Sequence, residues 1–243
     1  MTSEKIKPAL LLLPNLLGEM QHHAPYLPES IDKAVSTIDG LIAESASSGR
    51  RYLGRFQTKK PAHNMPLALY NHNTPDEDLD FLLEPIKNGE RWGLISDAGL
   101  PCIADPGANL VRRARKLGIP VQAFSGPSSL FLALMLSGIP SQKFSFLGYL
   151  PKEEENLILE IKKMETSSRV EKMTYVFIET PYRNETLLKT LMETCKGSTW
   201  ICCAWDLTLP GQGVVSFPVD VWKKSPLPNI HKKNAIFILS AAV

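Results

Sequence analysis

The stretch 94–107, LISDAGLPCIADPG, differs from the apolar sequence around it. It places two aspartates, two glycines and two prolines within fourteen residues. An apolar run over residues 91–96 leads into it and predicts a buried strand that ends at Asp97. A basic helical pattern over 109–117, closed by Gly118, follows it. Polar turns that directly follow a buried strand are typical of the ligand-binding edge of an α/β sheet.

Short apolar runs alternate with helical periodicity along the first 150 residues. This alternation predicts an α/β fold with a largely parallel sheet. The predicted strands cover residues 9–13, 40–44, 67–70, 91–96, 119–124 and 143–147, and the predicted helices cover 30–38, 75–87, 109–117 and 128–137. For the second of these helices, Thr74 is the predicted N-cap and Glu77 the partner that completes a capping box.

The pattern changes after Pro151, where a long charged amphipathic helix begins. Strands are expected at 174–178, 200–205 and 235–239, with a helix over 185–195 and an extended segment at 213–217. This arrangement predicts a mixed sheet with flanking helices. We therefore predict two α/β domains, residues 1–150 and 151–243.

Composition excludes several classes of protein. The net charge of +2 is too small to identify a nucleic-acid binder by charge alone, although a local basic patch remains open. No apolar run has the ~18 residues of a membrane span. The N-terminal stretch reads better as a first strand than as a signal peptide, so a cytoplasmic location is expected. The four cysteines form no C-x-x-C pair, and no metal site is expected.

Five loops that follow predicted strands are the candidate ligand contacts. They cover residues 14–18, 44–49, 71–73, 97–101 and 125–129. The two turns at 97–99 and 105–107 fold the chain between them back on itself. Asp105 before Pro106 is interpreted as a helix N-cap. The chain has no G-x-G-x-x-G after its first strand, no P-loop and no G-x-S-x-G, which leaves dinucleotide, triphosphatase and hydrolase functions without support.

Residues 94–151 resemble the tetrapyrrole methylase family of S-adenosylmethionine-dependent methyltransferases, and within it the ribosomal RNA small-subunit methyltransferase I branch. That branch has a similar S-D-A-G-x-P-x-x-x-D-P-G run. Residues 179–183, ETPYR, are similar to the family's E-[ST]-P-H-R turn, with Tyr182 in place of histidine, and residues 206–208 are similar to its E-L-T segment. Two segments depart from the pattern: 14–19 replaces P-T-P-I-G-N, and 44–47 replaces E-D-T-R.

The resemblance implies a two-domain fold with the ligand cleft between a mainly parallel N-terminal sheet and a mixed C-terminal sheet. It also implies a homodimer, S-adenosylmethionine as cofactor, and methyl transfer to a ribose 2′-hydroxyl of small-subunit ribosomal RNA. The expected cofactor contacts are Asp97, Ala98, Gly99, Pro101, Ile103, Ala104, Ser128, Ser129, Thr180, Pro181 and Leu207.

A ribose hydroxyl is a weak nucleophile, so a proton acceptor is expected beside it. Glu44 is the first candidate because it ends a predicted strand, although it equally fits a cap of the serine-rich turn after it. His72 is the second candidate, although a lone histidine in a turn is more often structural. Arg183 is expected to contact the acceptor or to close the cleft by a salt bridge.

The basic run between residues 50 and 60 has two interpretations. It is either a solvated helix face or a phosphate-contacting arm with interleaved aromatic side chains. The residues concerned are Arg50, Arg51, Arg55, Lys59 and Lys60, with Tyr52 and Phe56 between them. Two alternatives to the RNA methyltransferase stay open at this point: a methylase of a small, tetrapyrrole-like acceptor, and a binding protein that keeps the fold without catalysis.

Overall fold

The computed structural model of this chain describes residues 7–20 and 22–243. Residues 1–6, part of the N-terminal stretch discussed above, lie outside that description. The chain divides into two compact units, Met1–Ser128 (unit 1) and Ser129–Val243 (unit 2). Among the described residues, none of the helices combines the length and the apolar character that a membrane span requires.

Unit 1 is built on a parallel sheet of five strands with the order β3-β2-β4-β1-β5. Every neighbouring pair in this sheet is parallel, as predicted. The strands are β1 (Ala9–Leu12), β2 (Gly40–Ala43), β3 (Leu67–Leu69), β4 (Arg91–Leu94) and β5 (Val121–Ala123), and the helices are α1 (Glu29–Val35), α2 (Ala46–Leu53), α3 (Leu79–Lys87) and α4 (Ala108–Lys116).

The two faces of this sheet bury different pairs of helices. Successive side chains of a strand point to opposite faces. Leu11 and Leu41 therefore pack into one core with α1 and α2. Leu10 and Ile42, their neighbours along the two strands, pack into the other core with α3 and α4. This burial on both faces explains why these strands read as continuous apolar runs in the sequence.

The connections leave β1 and β4 in opposite directions along the sheet. The chain passes from β1 through α1 to β2, and from β4 through α4 to β5. Strands β1 and β4 are themselves neighbours, with Leu12 paired to Leu94. Loops that diverge from adjacent parallel strands open a crevice at their carboxyl ends, which is where ligands bind in α/β sheets.

Unit 2 has a mixed sheet of five strands with the order β6-β7-β10-β8-β9. Strands β6 and β7 are parallel and the remaining pairs are antiparallel, which confirms the predicted mixed sheet. The strands are β6 (Phe144–Tyr149), β7 (Thr174–Ile178), β8 (Trp200–Trp205), β9 (Gly213–Pro218) and β10 (Ala235–Ser240), and the helices are α5 (Ser129–Ser137), α6 (Glu154–Glu171), α7 (Asn184–Thr194) and α8 (Val219–Trp222).

The division into units differs from the domain boundary predicted at residues 150 and 151. Helix α5 and strand β6 lie in unit 2. Strand β6 pairs with β7, with Phe144 opposite Thr174. The Ser216 hydroxyl donates to the carbonyl of Ser137, at the end of α5, over 2.6 Å. The residue pattern of the sequence changes only after β6. No local pattern therefore predicts the pairing that assigns β6 to unit 2.

The predicted capping box before α3 is wrong. The Thr74 hydroxyl accepts a hydrogen bond from the backbone N–H of Asn71 over 3.0 Å, in the turn that precedes the helix. The chain then makes a 3₁₀ turn over Asp76–Asp78, and the α-helix begins at Leu79. A local side-chain bond within the turn competes with helix capping for the same hydroxyl.

We expect Leu11→Ala to lower the free energy of unfolding by about 2–5 kcal/mol, because it leaves a cavity in the core between β1 and its helices. The Leu11 side chain is fully buried. Phe81→Ala is the matched control, since Phe81 is 79% exposed and its truncation should change stability by less than about 0.5 kcal/mol. Urea denaturation followed by circular dichroism measures both. Equal midpoints for the two variants would contradict the described core.

Candidate functional site

Asn15 ties the loop after β1 to the loop after β4. The side chain is almost fully buried, and its Nδ2 donates to the carbonyls of Ser96 and Asp97, each over 3.0 Å. Its backbone N–H donates to the carbonyl of Gly99 over 2.7 Å. Three bonds from one residue therefore fix the start of the 97–107 loop against the crevice. In the sequence, Asn15 lies in one of the two segments that depart from the family pattern, and no local feature indicates that it joins two loops.

The 97–107 loop is a tight double turn with several residues in the left-handed region. Gly99 has φ +68°, Cys102 +70° and Ala104 +64°. A left-handed residue that is not glycine costs about 1–2 kcal/mol, so the surrounding contacts must hold this shape. A Cβ added at Gly107 would lie 2.4 Å from the Cys102 sulfur, which shows how closely the two turns approach.

Asp105 is not the N-cap of α4, so that interpretation is wrong. The helix begins at Ala108, with Gly107 as the capping residue and no side-chain cap. The Asp105 carboxyl is instead half-buried near Glu44, Asp97 and the Ser96 hydroxyl. In the sequence, the feature that indicates this position of Asp105 is the second turn, D-P-G, which folds the loop back toward the end of β4.

Three carboxyl groups, Glu44, Asp97 and Asp105, thus gather at the carboxyl ends of β2 and β4. Glu44 Oε1 accepts the backbone N–H of Asp97 over 2.9 Å. Burial, followed by the charge of Glu44, raises the pKa of Asp105 to about 6. Burial also raises the pKa of Glu44, against the opposing effects of the Asp97 N–H and of nearby His72. The structure therefore brings both predicted proton acceptors, Glu44 and His72, to one place.

Glu44 does not cap the serine-rich turn after β2. Helix α2 has Ser45 as its N-cap, and the Ser45 hydroxyl accepts the backbone N–H of Ser48 over 3.2 Å. The structural alternative for Glu44 is therefore wrong, and its carboxylate faces the 97–107 loop instead.

The loop after β5 closes the crevice from a third side. A Cβ added at Gly126 would lie 2.1 Å from Pro14, so glycine is required where these two loops meet. Gly99 lies against Leu17 and the carbonyl of Pro127 in the same way. Ser128 follows this contact and is partly exposed. Helix α5 begins at the next residue, Ser129.

These residues fit S-adenosylmethionine, the cofactor that the resemblance implies. Asp97, Ala98 and Ala104 are exposed, which leaves backbone groups and a carboxylate open to a polar ligand. Ile103 is 47% exposed beside them and offers the apolar contact that an adenine ring needs. Gly99 and Pro101, by contrast, are buried, so only the other residues of this group are open to a ligand.

The other predicted site residues lie in unit 2, at the edge where β7 and β8 end. Thr180 donates its backbone N–H to Glu179 Oε1 over 2.7 Å. Arg183 Nε lies 3.3 Å from Glu179 Oε2, and its Nη2 donates to the carbonyl of Lys152 over 3.3 Å. The salt bridge of Arg183 is therefore made within unit 2. Pro181 lies between Thr180 and Arg183 and is partly exposed. Leu207 follows β8 and is buried.

The basic run around α2 is largely committed to the fold of unit 1. Arg50 Nη1 donates to the carbonyls of Ala62 and Met65, each over 2.7 Å. Arg55 Nη1 donates to the Asn15 side-chain oxygen over 3.0 Å, so it supports the residue that ties the loops together.

Stacking of a base on Tyr52, one of the two aromatic residues of this run, is excluded, which contradicts that part of the arm hypothesis. Tyr52 is fully buried, and the Phe56 ring packs against it with centroids 4.9 Å apart. Arg51 pairs with Glu19, and Lys59 pairs with Asp39 over 2.6 Å. The pattern of cations and aromatic rings in the sequence does not distinguish such packing from a nucleic-acid surface.

Comparison with known proteins identifies the family of this chain. The sequence model of the family described as Tetrapyrrole (Corrin/Porphyrin) Methylases matches residues 31–221. A Thermotoga maritima protein named ribosomal RNA small subunit methyltransferase I is 32% identical over 203 residues, 82% of this chain and 86% of that protein. A Rickettsia prowazekii protein of the same name is 31% identical over 217 residues, 87% of this chain and 73% of that protein.

Solved structures show the same fold at low sequence identity. The methyltransferase CobJ superposes with a TM-score of 0.64 at 14% identity, over 96% of this chain and 93% of that one. A uroporphyrin-III C-methyl transferase from Thermus thermophilus, solved with S-adenosyl homocysteine, gives 0.54 at 15% identity, over 96% and 97%. From the match of the family model and the identity to its relatives, this chain belongs to the tetrapyrrole methylase family of S-adenosylmethionine-dependent methyltransferases.

Proposed function

We propose that this chain methylates small-subunit ribosomal RNA at a ribose 2′-hydroxyl. The RNA substrate rests on the relatives at about a third identity, which carry the name ribosomal RNA small subunit methyltransferase I. The proposed chemistry rests on one observation: Glu44 and His72 lie in the crevice beside the 97–107 loop. The two solved structures compared above support only the fold, because their identity is 14–15%.

The cofactor, when bound, supplies an electrophilic methyl group on a sulfonium. We assign its contacts in unit 1 to the exposed residues of the 97–107 loop, namely Asp97, Ala98, Ile103 and Ala104. Asp97 and Asp105 offer negative charge to its ammonium group, and the rigid double turn lowers the entropy lost on binding. The roles of Ser128, Ser129, Thr180, Pro181, Leu207 and Arg183, the homodimer and the cytoplasmic location stay predictions.

Glu44 is the proposed proton acceptor for the ribose hydroxyl. The raised pKa of Glu44 makes its carboxylate a stronger base than that of a solvent-exposed glutamate. A catalytic base is most effective when its pKa lies near the working pH. The Asp97 N–H holds the carboxylate in place through Oε1. His72, which lies close enough to lower the pKa of Glu44, is positioned to stabilise the charged carboxylate.

Asp97→Ala is expected to weaken binding of S-adenosylhomocysteine about tenfold, or ~1.4 kcal/mol, because it removes the carboxylate nearest the start of the loop. Isothermal titration calorimetry measures the change. Glu155→Ala removes an exposed carboxylate from α6 and is the control that should bind like the wild type. Equal affinities for the two variants would contradict the assignment of the 97–107 loop.

Glu44→Gln is expected to lower kcat by about 10²–10⁴-fold without changing the affinity for S-adenosylhomocysteine, since glutamine keeps the oxygen that accepts the Asp97 N–H. The assay is labelled methyl transfer to small ribosomal subunits, followed by digestion to nucleosides and mass spectrometry. The wild type should yield a 2′-O-methylnucleoside. A methyl group on a base, or no transfer to RNA, would contradict the proposed function.

Affinity for S-adenosylhomocysteine is expected to rise as the pH passes upward through about 6. Asp105 has a pKa of about 6, so it is neutral below that pH and negatively charged above it, where it attracts the ligand's ammonium. Asp105→Asn should flatten the rise by roughly two- to fivefold, the effect of one partly screened charge. Calorimetry at a series of pH values tests this, and parallel profiles for the variant and the wild type would refute a role for Asp105.

A further inference from the structure

Tyr182 is a solvent-exposed residue of unit 2, and two basic side chains lie against its ring. Its side chain is 70% exposed. Lys232 Nζ lies 5.6 Å from the ring centroid, over the ring. The His231 ring lies edge-on to it, with centroids 5.9 Å apart and planes at 78°. An exposed aromatic ring framed by a cation and an imidazole is the composition of a nucleotide contact.

The segment that carries the two basic residues is fastened to the turn that carries the tyrosine. Lys232 donates its backbone N–H to the carbonyl of Pro181 over 3.0 Å. Asn184, which is fully buried, donates from Nδ2 to the carbonyls of Ile230 and Lys233 over 3.0 and 2.8 Å. Both ends of the 230–233 segment are thus fixed, and the three side chains are held together before any ligand arrives.

The backbone of Lys232 is held in an unfavourable conformation. Its φ is +59°, in the left-handed region, where a residue with a Cβ costs about 1–2 kcal/mol. The bond from its N–H to Pro181 fixes this conformation and brings the ammonium over the Tyr182 ring. Strain of this kind is found where a side chain must be placed for function.

Lys232 is also a cation of this surface that is left for a ligand. Arg183 is paired with Glu179 at 3.3 Å, and Lys233 with Asp206 at 2.5 Å. Lys232 takes part in no ion pair with the residues that the structure describes. Its ammonium is therefore free to meet a phosphate, while its neighbours maintain the fold.

We propose that Tyr182, His231 and Lys232, the Tyr182 platform, bind an unpaired nucleotide of the RNA substrate. This inference rests on the proposed function and adds a contact surface to it. The base stacks on the open part of the Tyr182 ring, and Lys232 contacts the phosphate. RNA is recognised mainly through such splayed, single-stranded bases stacked on aromatic side chains. In the sequence, Tyr182 was visible only as a replacement for the family's histidine.

The test uses the full chain with bound S-adenosylhomocysteine and a fluorescein-labelled oligouridine, whose dissociation constant is measured by anisotropy at several salt concentrations. Tyr182→Ala should raise the dissociation constant about tenfold, the loss expected for one stacked base. Tyr182→Phe should bind like the wild type, because it keeps the ring. Lys232→Gln should reduce the slope of log K against log salt by about 0.7, the value for one phosphate on a single strand.

Two control variants match the two types of side chain removed. Phe81→Ala removes an exposed aromatic ring from unit 1, and Lys163→Gln removes an exposed lysine from α6. Both should bind oligouridine like the wild type. The affinity of Tyr182→Ala for S-adenosylhomocysteine should also stay unchanged, which shows that the variant is folded.

The outcomes separate this inference from the proposed function. If the wild type methylates small ribosomal subunits and Tyr182→Ala binds oligouridine as tightly as the wild type does, the platform is wrong and the function stands. If the wild type neither binds oligouridine nor methylates RNA, both are wrong. Weakened binding by Tyr182→Ala alone among the exposed aromatic variants, with Tyr182→Phe intact, supports the platform.

Discussion

The structure of unit 1 depends on the bonds that Asn15 makes across the ends of β1 and β4. A buried primary amide must satisfy its donors, and here the partners are two carbonyls of the loop that follows β4. These bonds fix the side of the loop that faces Asn15, and the other side of the loop stays open to solvent. Arg55 completes the arrangement by donating to the Asn15 oxygen. Arg55, which the sequence suggests as a phosphate contact, therefore supports the 97–107 loop.

The electrostatics of the crevice follow from that geometry. Because the loop is held close to the end of β2, the Asp97 N–H meets the Glu44 carboxylate, and Asp105 is brought near both. Carboxyl groups that share a partly desolvated space raise one another's pKa values. Burial, with the charge of Asp97 added to it, raises the pKa of Glu44 and gives it the basicity that the proposed proton transfer needs. The same cluster supplies the negative charge that we propose for the cofactor's ammonium, so both proposed roles depend on one group of carboxyls.

The two units use their cations differently. In unit 1, Arg50, Arg51, Arg55 and Lys59 are engaged with carbonyl, amide or carboxylate oxygens. In unit 2, the fixed 230–233 segment leaves Lys232 over an exposed tyrosine. The net charge of +2 gives no hint of either arrangement. What matters for an RNA substrate is which cations are left free by the fold, and only the contacts decide that.

The strands, the parallel and mixed sheets and the family were predictable from the sequence alone, and Asp97 and Glu44 were among its candidate site residues. Apolar periodicity and the polar turns after strands are local properties, so they can be read without a structure. Features that join residues far apart in the chain became visible only in the folded structure. The fold placed Asp105 in the acidic cluster and made Asn15 the tie between loops. It also buried Tyr52 and assigned α5 and β6 to unit 2. Long-range hydrogen bonds and strand pairing leave no local pattern, which is why these features appear only when the chain is folded.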